Sequence, residues 1–177
     1  LGDAILSAEV TPNRPDCLSM LGIAHEVAAL TGQTVTEPDR NYPENGDSIN
    51  QQVIIDVTDA DLCPRYAVSL IRGITVKESP DWLKDAIEKS GMRPINNIVD
   101  VTNYVMLEYG QPLHAFDYTT INEATVIIRT AHNKEKLITL DDEEREINPP
   151  ILTIADPKRA IALAGVMGGR DSEVTET

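Results

Sequence analysis

The stretch Arg93–Asp117 limits what this chain can fold into more than any other part of it. Ile98, Val101, Val105 and Tyr109 recur at helical spacing, which predicts a helix with one apolar face. Asn96 or Asn97 can cap its start by accepting free backbone N–H groups, and Gly110 followed by Pro112 stops it. Val, Ile and Thr are frequent here and favour strands, but the period and the caps decide for a helix. Thr102 and Asn103 fall beside the apolar stripe. After the Gly110-Gln111-Pro112 turn the chain doubles back through Leu113, His114, Ala115 and Phe116. Those residues cannot all face water, so the His114 ring is expected near Thr102 and Asn103, in a small polar pocket. A histidine among apolar neighbours is more often structural than catalytic, and chemistry alone leaves its role open.

With 177 residues the chain fits one compact domain or a piece of a larger protein. It opens on Leu1 without methionine or a charged-then-apolar leader, so a segment of a longer protein is expected. No apolar run reaches membrane-spanning length. The net charge of −14 argues against wrapping a nucleic-acid backbone, because phosphate affinity comes from Lys and Arg. Acids concentrate in residues 39–61 and 141–146, expected as solvated loops and strand ends. Cys17 and Cys63 form no Cys-x-x-Cys pair, which leaves a zinc site or disulfide framework unsupported and favours free cytoplasmic thiols.

Residues 1–10 read as a short strand. The Pro12 and Pro15 turn leads to a helix with Asp16 as N-cap and Met20, Ile23, Val27 and Leu30 as its buried face, ending at Gly32. His25 reads as structural, and Arg14 is the residue of this turn that could meet RNA or a neighbouring domain. Residues 34–51 form a polar loop. Residues 52–57 and 65–74 read as strands, the second alternating through Tyr66, Val68 and Leu70. Ser79-Pro80-Asp81 starts a helix, with Ser79 as cap, that runs through Leu83, Ala86 and Ile87 to Gly91. Trp82, the one tryptophan, is expected in packing rather than base stacking.

Residues 125–130, 136–140, 151–154 and 160–164 are further strand candidates, with a turn at Asp141-Asp142-Glu143. Gly165, Gly168 and Gly169 allow tight turning and close approach of backbone N–H groups to a ligand, but form no nucleotide fingerprint. Without a βαβ rhythm, the expected fold is α+β, with mixed or antiparallel sheets and packed helices. One domain is expected over 1–177: a leading strand and helix (1–33), a loop (34–51) and an α+β core (52–177), the core expected to be truncated at its C-terminal end.

Several of these stretches together resemble the bacterial phenylalanyl-tRNA synthetase beta subunit in its B3/B4 editing region. They are Thr11–Ser19, Cys63–Tyr66, Ser79–Leu83, Gly91–Asp117 and Leu163–Gly169. The resemblance implies hydrolysis of mischarged Tyr-tRNA(Phe), with His114 and Asn103 positioning the water or the ester. It places Thr102 and Pro112 beside the aminoacyl group and Gly168 and Gly169 on the opposite wall. It implies no cofactor for this stretch, and ATP with Mg²⁺ for the whole synthetase. The implied partners are the acceptor end of tRNA(Phe), the alpha subunit and the rest of the beta subunit, in the cytoplasm and away from membranes.

The need for such a site follows from chemistry. A pocket shaped for phenylalanine rejects tyrosine's added hydroxyl only by about a hundredfold, whereas a second site that hydrogen-bonds the hydroxyl selects it strongly. The alternative is a non-catalytic module that docks synthetase subunits; a free-standing hydrolase is disfavoured by the leading segment. The family's glycines before Val126 and after Asp141 are replaced by Glu123-Ala124 and Asp142-Glu143. Its tyrosine-recognising glutamate is expected beyond Thr177, and neither Glu173 nor Glu176 is assigned that role.

Overall fold

A computed structural model describes residues 3–175. The chain divides into two compact units, each assembled from two stretches: a helical unit of residues 1–43 and 76–114, and a sheet unit of 44–75 and 115–177. The architecture is α+β.

In the helical unit, α1 (Met20–Thr31) is capped by Ser19, whose Oγ accepts the Gly22 N–H at 3.1 Å, and ends on Gly32 at φ 71°. Ser19, not Asp16, is therefore the cap; Asp16 pairs with Arg14 at 2.6 Å instead. The face expected to be buried is open: Met20, Val27 and Leu30 are all exposed. Residues 3–10 form no strand, and Leu1 and Gly2 lie outside the described residues.

α2 (Asp81–Lys89) buries Leu83 and Ile87 completely. Its N-cap is Pro80, without a side-chain cap, because the Ser79 hydroxyl is committed elsewhere. It donates to Asp100 Oδ2 at 2.5 Å, in α3 (Asn97–Tyr109), while the Ile95 N–H donates to Asp100 Oδ1 at 2.9 Å. Asp100 is fully buried. It is the one fully buried residue of α3, whereas Val101 of the expected apolar stripe is exposed. Trp82 remains largely exposed but meets Tyr104 edge-on at 5.5 Å between ring centres, locking α2 to α3.

In the sheet unit, β1 (Ile54–Val57), β2 (Thr125–Thr130), β5 (Leu152–Ala155), β6 (Ala160–Leu163) and β7 (Met167–Gly168) form one sheet in the order β1-β2-β5-β6-β7. β1 and β2 are parallel and the other neighbours antiparallel. A hairpin of β3 (Glu135–Ile138) and β4 (Glu144–Ile147) makes a second sheet. Ile128, Ile154 and Ile161 head one core cluster, and Ala131, Leu137, Ile147 and Ala160 a second. β4 and β7 were not anticipated from sequence, and residues 65–74 form no strand.

Two turns where the family carries glycine hold the left-handed backbone without it. Glu123 and Ala124 sit at φ 55° and 47°, and Asp142 at φ 62°. Each such residue costs on the order of 1 kcal/mol relative to glycine. At the second turn the Asp141 carboxylate receives the Thr139 hydroxyl and the Arg145 guanidinium, which offsets that cost.

Candidate functional site

Asn96 caps α3 with its side-chain oxygen, accepting the N–H groups of Ile98 at 3.0 Å and Val99 at 2.9 Å. Gly110 at φ 75° closes the helix by donating its N–H to Met106 O. These two ends fix the rotation of α3 and so the direction of Thr102 and Asn103. Both are half-buried. Thr102 Oγ1 donates back to Val99 O at 2.7 Å, which leaves its lone pairs as the free hydrogen-bonding function. The Asn103 side-chain amide has no partner among the described residues and is not sealed from solvent. An amide carries one acceptor and two donors, so Asn103 offers a full unspent set to a ligand.

Pro112 and His114 follow the turn and are exposed. Partial desolvation holds the His114 imidazole below its ordinary value near 6.5, so the neutral ring dominates at neutral pH. A neutral imidazole can accept a proton or a hydrogen bond from water.

Thr102, Asn103, Pro112 and His114 belong to the helical unit, and Gly168 and Gly169 to the sheet unit. The two glycines are buried. Gly169 donates its N–H to Ile161 O at 2.8 Å, and Gly168 O accepts from Leu140 N at 3.1 Å. At φ −87° Gly169 needs no glycine for its backbone, yet an added Cβ would stand 2.5 Å from Ile161 O. Space, rather than conformation, demands glycine there. Gly169→Ala is expected to lower stability by about 2 kcal/mol through overpacking. Chemical denaturation followed by circular dichroism checks this, and a loss below about 0.5 kcal/mol would contradict the packing account.

A cavity of about 190 Å³ in the sheet unit is lined by Lys136, Leu137, Arg159, Ile161, Gly169 and Asp171 among others. It holds none of the helical-unit candidates, and Arg159 and Asp171 already pair across its lining at 2.6 Å. Its size is below that of ordinary small-molecule sites.

Asp16, Cys17 and Glu26 lie close enough together to suggest a cation site. The Arg14 guanidinium fills it, reaching Asp16 at 2.6 Å, Glu26 at 2.5 Å and Cys17 Sγ at 3.2 Å. Desolvation also pushes the Cys17 thiol up, away from the thiolate a metal needs. Arg14 is thus spent internally, contrary to the expectation that it meets RNA. Cys17 and Cys63 are both free thiols. Among the described residues no helix is long and apolar enough to cross a membrane.

A two-unit α+β segment with polar side chains at the end of a capped helix defines a class rather than an activity. The family follows from sequence comparison: residues 62–177 match the model for the B3/4 domain, and the chain belongs to that family. It is 51% identical over 176 residues to the phenylalanine–tRNA ligase beta subunit of Dehalococcoides mccartyi strain CBDB1, covering 99% of this chain and 22% of that protein. The corresponding subunit of Moorella thermoacetica is 50% identical over 175 residues, and that of Geobacter sulfurreducens 46% over 177, each again with 22% of the relative covered. The chain therefore spans about a fifth of the length of these relatives.

Proposed function

We propose that this chain carries the editing chemistry of a phenylalanine–tRNA ligase beta subunit, hydrolysing the ester of tyrosine mischarged on tRNA(Phe). The observation that carries the proposal is the half-buried Asn103 amide, open and unpartnered on a helix whose two ends are fixed. Asn103 orients the ester or the attacking water, the neutral His114 accepts the water's hydrogen bond, and Thr102 and Pro112 border the aminoacyl group. Gly168 and Gly169 enter through the family resemblance alone. Attack of water on the ester carbonyl breaks the bond to the tRNA ribose oxygen and releases tyrosine and tRNA. No covalent intermediate is invoked, since no nucleophile–base–orienter triad is evident.

In the same proposal, tRNA binding draws its phosphate contacts from elsewhere in a longer subunit, because this stretch carries a net charge of −14. The alpha subunit, ATP and Mg²⁺ belong to the synthetic reaction of the whole assembly, which is cytoplasmic. A second role, docking of other synthetase segments, is favoured by the open apolar face of α1.

Release of tyrosine from Tyr-tRNA(Phe) tests the proposal. Asn103→Ala with His114→Ala is expected to slow release about a hundredfold or more, within the range for losing positioned acid–base and hydrogen-bonding groups. Unchanged release by the double variant would remove Asn103 and His114 from the site. No release by the unaltered protein would leave docking as the better account.

A further inference from the structure

Residues 66–72 have the side-chain pattern of a β-strand without its hydrogen bonds. Tyr66, Val68 and Leu70 are half-buried while Ala67, Ser69 and Ile71 between them are exposed, a strict period of two. Tyr66 packs on the core cluster of the sheet unit, and Gly73 at φ 71° ends the run. Yet among the described residues no backbone N–H or C=O from Tyr66 to Arg72 takes part in a hydrogen bond. Peptide groups beside a packed face are normally paired, and a row of open ones is a template for another strand.

The charge of this stretch is opposite to that of the chain. Residues 62–75 contain no acid, in a protein with 29 acidic and 15 basic side chains. Arg65 and Arg72 flank the free edge, both exposed and neither in an ion pair among the described residues.

We propose that residues 66–72 form an acceptor edge for an acidic, extended polypeptide segment that adds a strand to it. Alternating donors and acceptors at strand spacing demand a polypeptide backbone, which RNA cannot supply. Two unpaired arginines at the ends of the edge select carboxylates on the incoming strand. A second copy of the chain fits poorly. Antiparallel pairing of two copies centred on Val68 or Ser69 brings Arg65 of each within one position of the other's Arg72, and like charges so placed repel.

A random peptide library displayed on phage, panned against this chain, supplies the probes. Expected are enriched peptides with alternating β-branched or aromatic residues flanked by Asp or Glu. Bound as synthetic peptides, they should slow hydrogen exchange at Tyr66–Arg72, and Arg65→Glu with Arg72→Glu should weaken binding about tenfold or more. Both arginines are exposed, so an unchanged circular dichroism spectrum is expected for the variant. If that variant misfolds, the exchange footprint on the unaltered chain decides alone. Enrichment without acids, protection elsewhere, or protection of these amides by self-association or by an RNA oligonucleotide would each overturn the proposal.

Discussion

Replacing Asp100 by Ala is expected to destabilise the helical unit by about 3 kcal/mol. The carboxylate is fully buried and accepts both the Ser79 hydroxyl and the Ile95 N–H, tying the residues before α2 to those before α3. Alanine leaves two donors without partners in a space too small for easy repair, and each unsatisfied group costs about 1–3 kcal/mol. Asp100→Asn is the informative companion. Its oxygen can still accept from Ile95, and the Ser79 hydroxyl can rotate to accept from the new amide, so less than half the loss is expected. Urea unfolding followed by the fluorescence of Trp82, the sole tryptophan and a residue of α2, reads this unit directly. Equal losses for the two variants would show that shape, not hydrogen bonding, sets the cost.

The sheet unit is expected to weaken in acid through Glu135. Its carboxylate takes two bonds from Arg129, at 2.7 and 2.8 Å, and one each from the N–H groups of His132 and Ala160. Hydrogen bonding to Arg129 is the main cause that lowers Glu135 from 4.5 to about 2, against the opposing effect of burial. Both side chains are mostly buried, at 14% and 11% exposure, so solvent screens the pair little. A depressed folded-state value means stability that is fully present above about 4.5 and is lost as pH falls towards about 2. The whole loss is about 3 kcal/mol. Denaturation of the protein and of Glu135→Gln, followed by circular dichroism between neutral pH and about pH 3, should show the gap between them closing in that window. A gap independent of pH would rule out this linkage.

What the sequence disclosed depended on whether the deciding interaction was local. α3 was legible to its ends because Asn96 and Gly110 lie within a turn of the groups they cap. Ser79 was misassigned because Asp100, 21 residues away, takes its hydroxyl before the helix can. The apolar period of α1 was legible, but a period states which face is suited to burial, not that a partner covers it. The same holds for residues 65–74, whose alternation is present in the burial of Tyr66, Val68 and Leu70 while the pairing that makes a strand is not.

β4 escaped notice because Glu144-Arg145-Glu146 resembles a solvated turn. It becomes a strand by pairing with β3, aided by Lys136–Glu144 at 2.6 Å and by Arg145 reaching Asp141. Among the candidate site residues, sequence pattern placed Thr102 and Asn103 on the right helix. The open state of the Asn103 amide could not be read there, because it depends on what the rest of the fold leaves unpaired.

The interleaving of the two units along the chain has a consequence for inheritance. Residues 44–75 of the sheet unit interrupt the helical unit, and residues 76–114 of the helical unit interrupt the sheet unit in turn. Thr58 and its partner Ile128 stand 70 residues apart, with α2 and α3 encoded between them. No single truncation can therefore discard one unit and keep the other whole: cutting after residue 114 strips β1 of β2, and cutting before residue 76 takes α1 away with β1. The pair can be duplicated, transferred or lost only together.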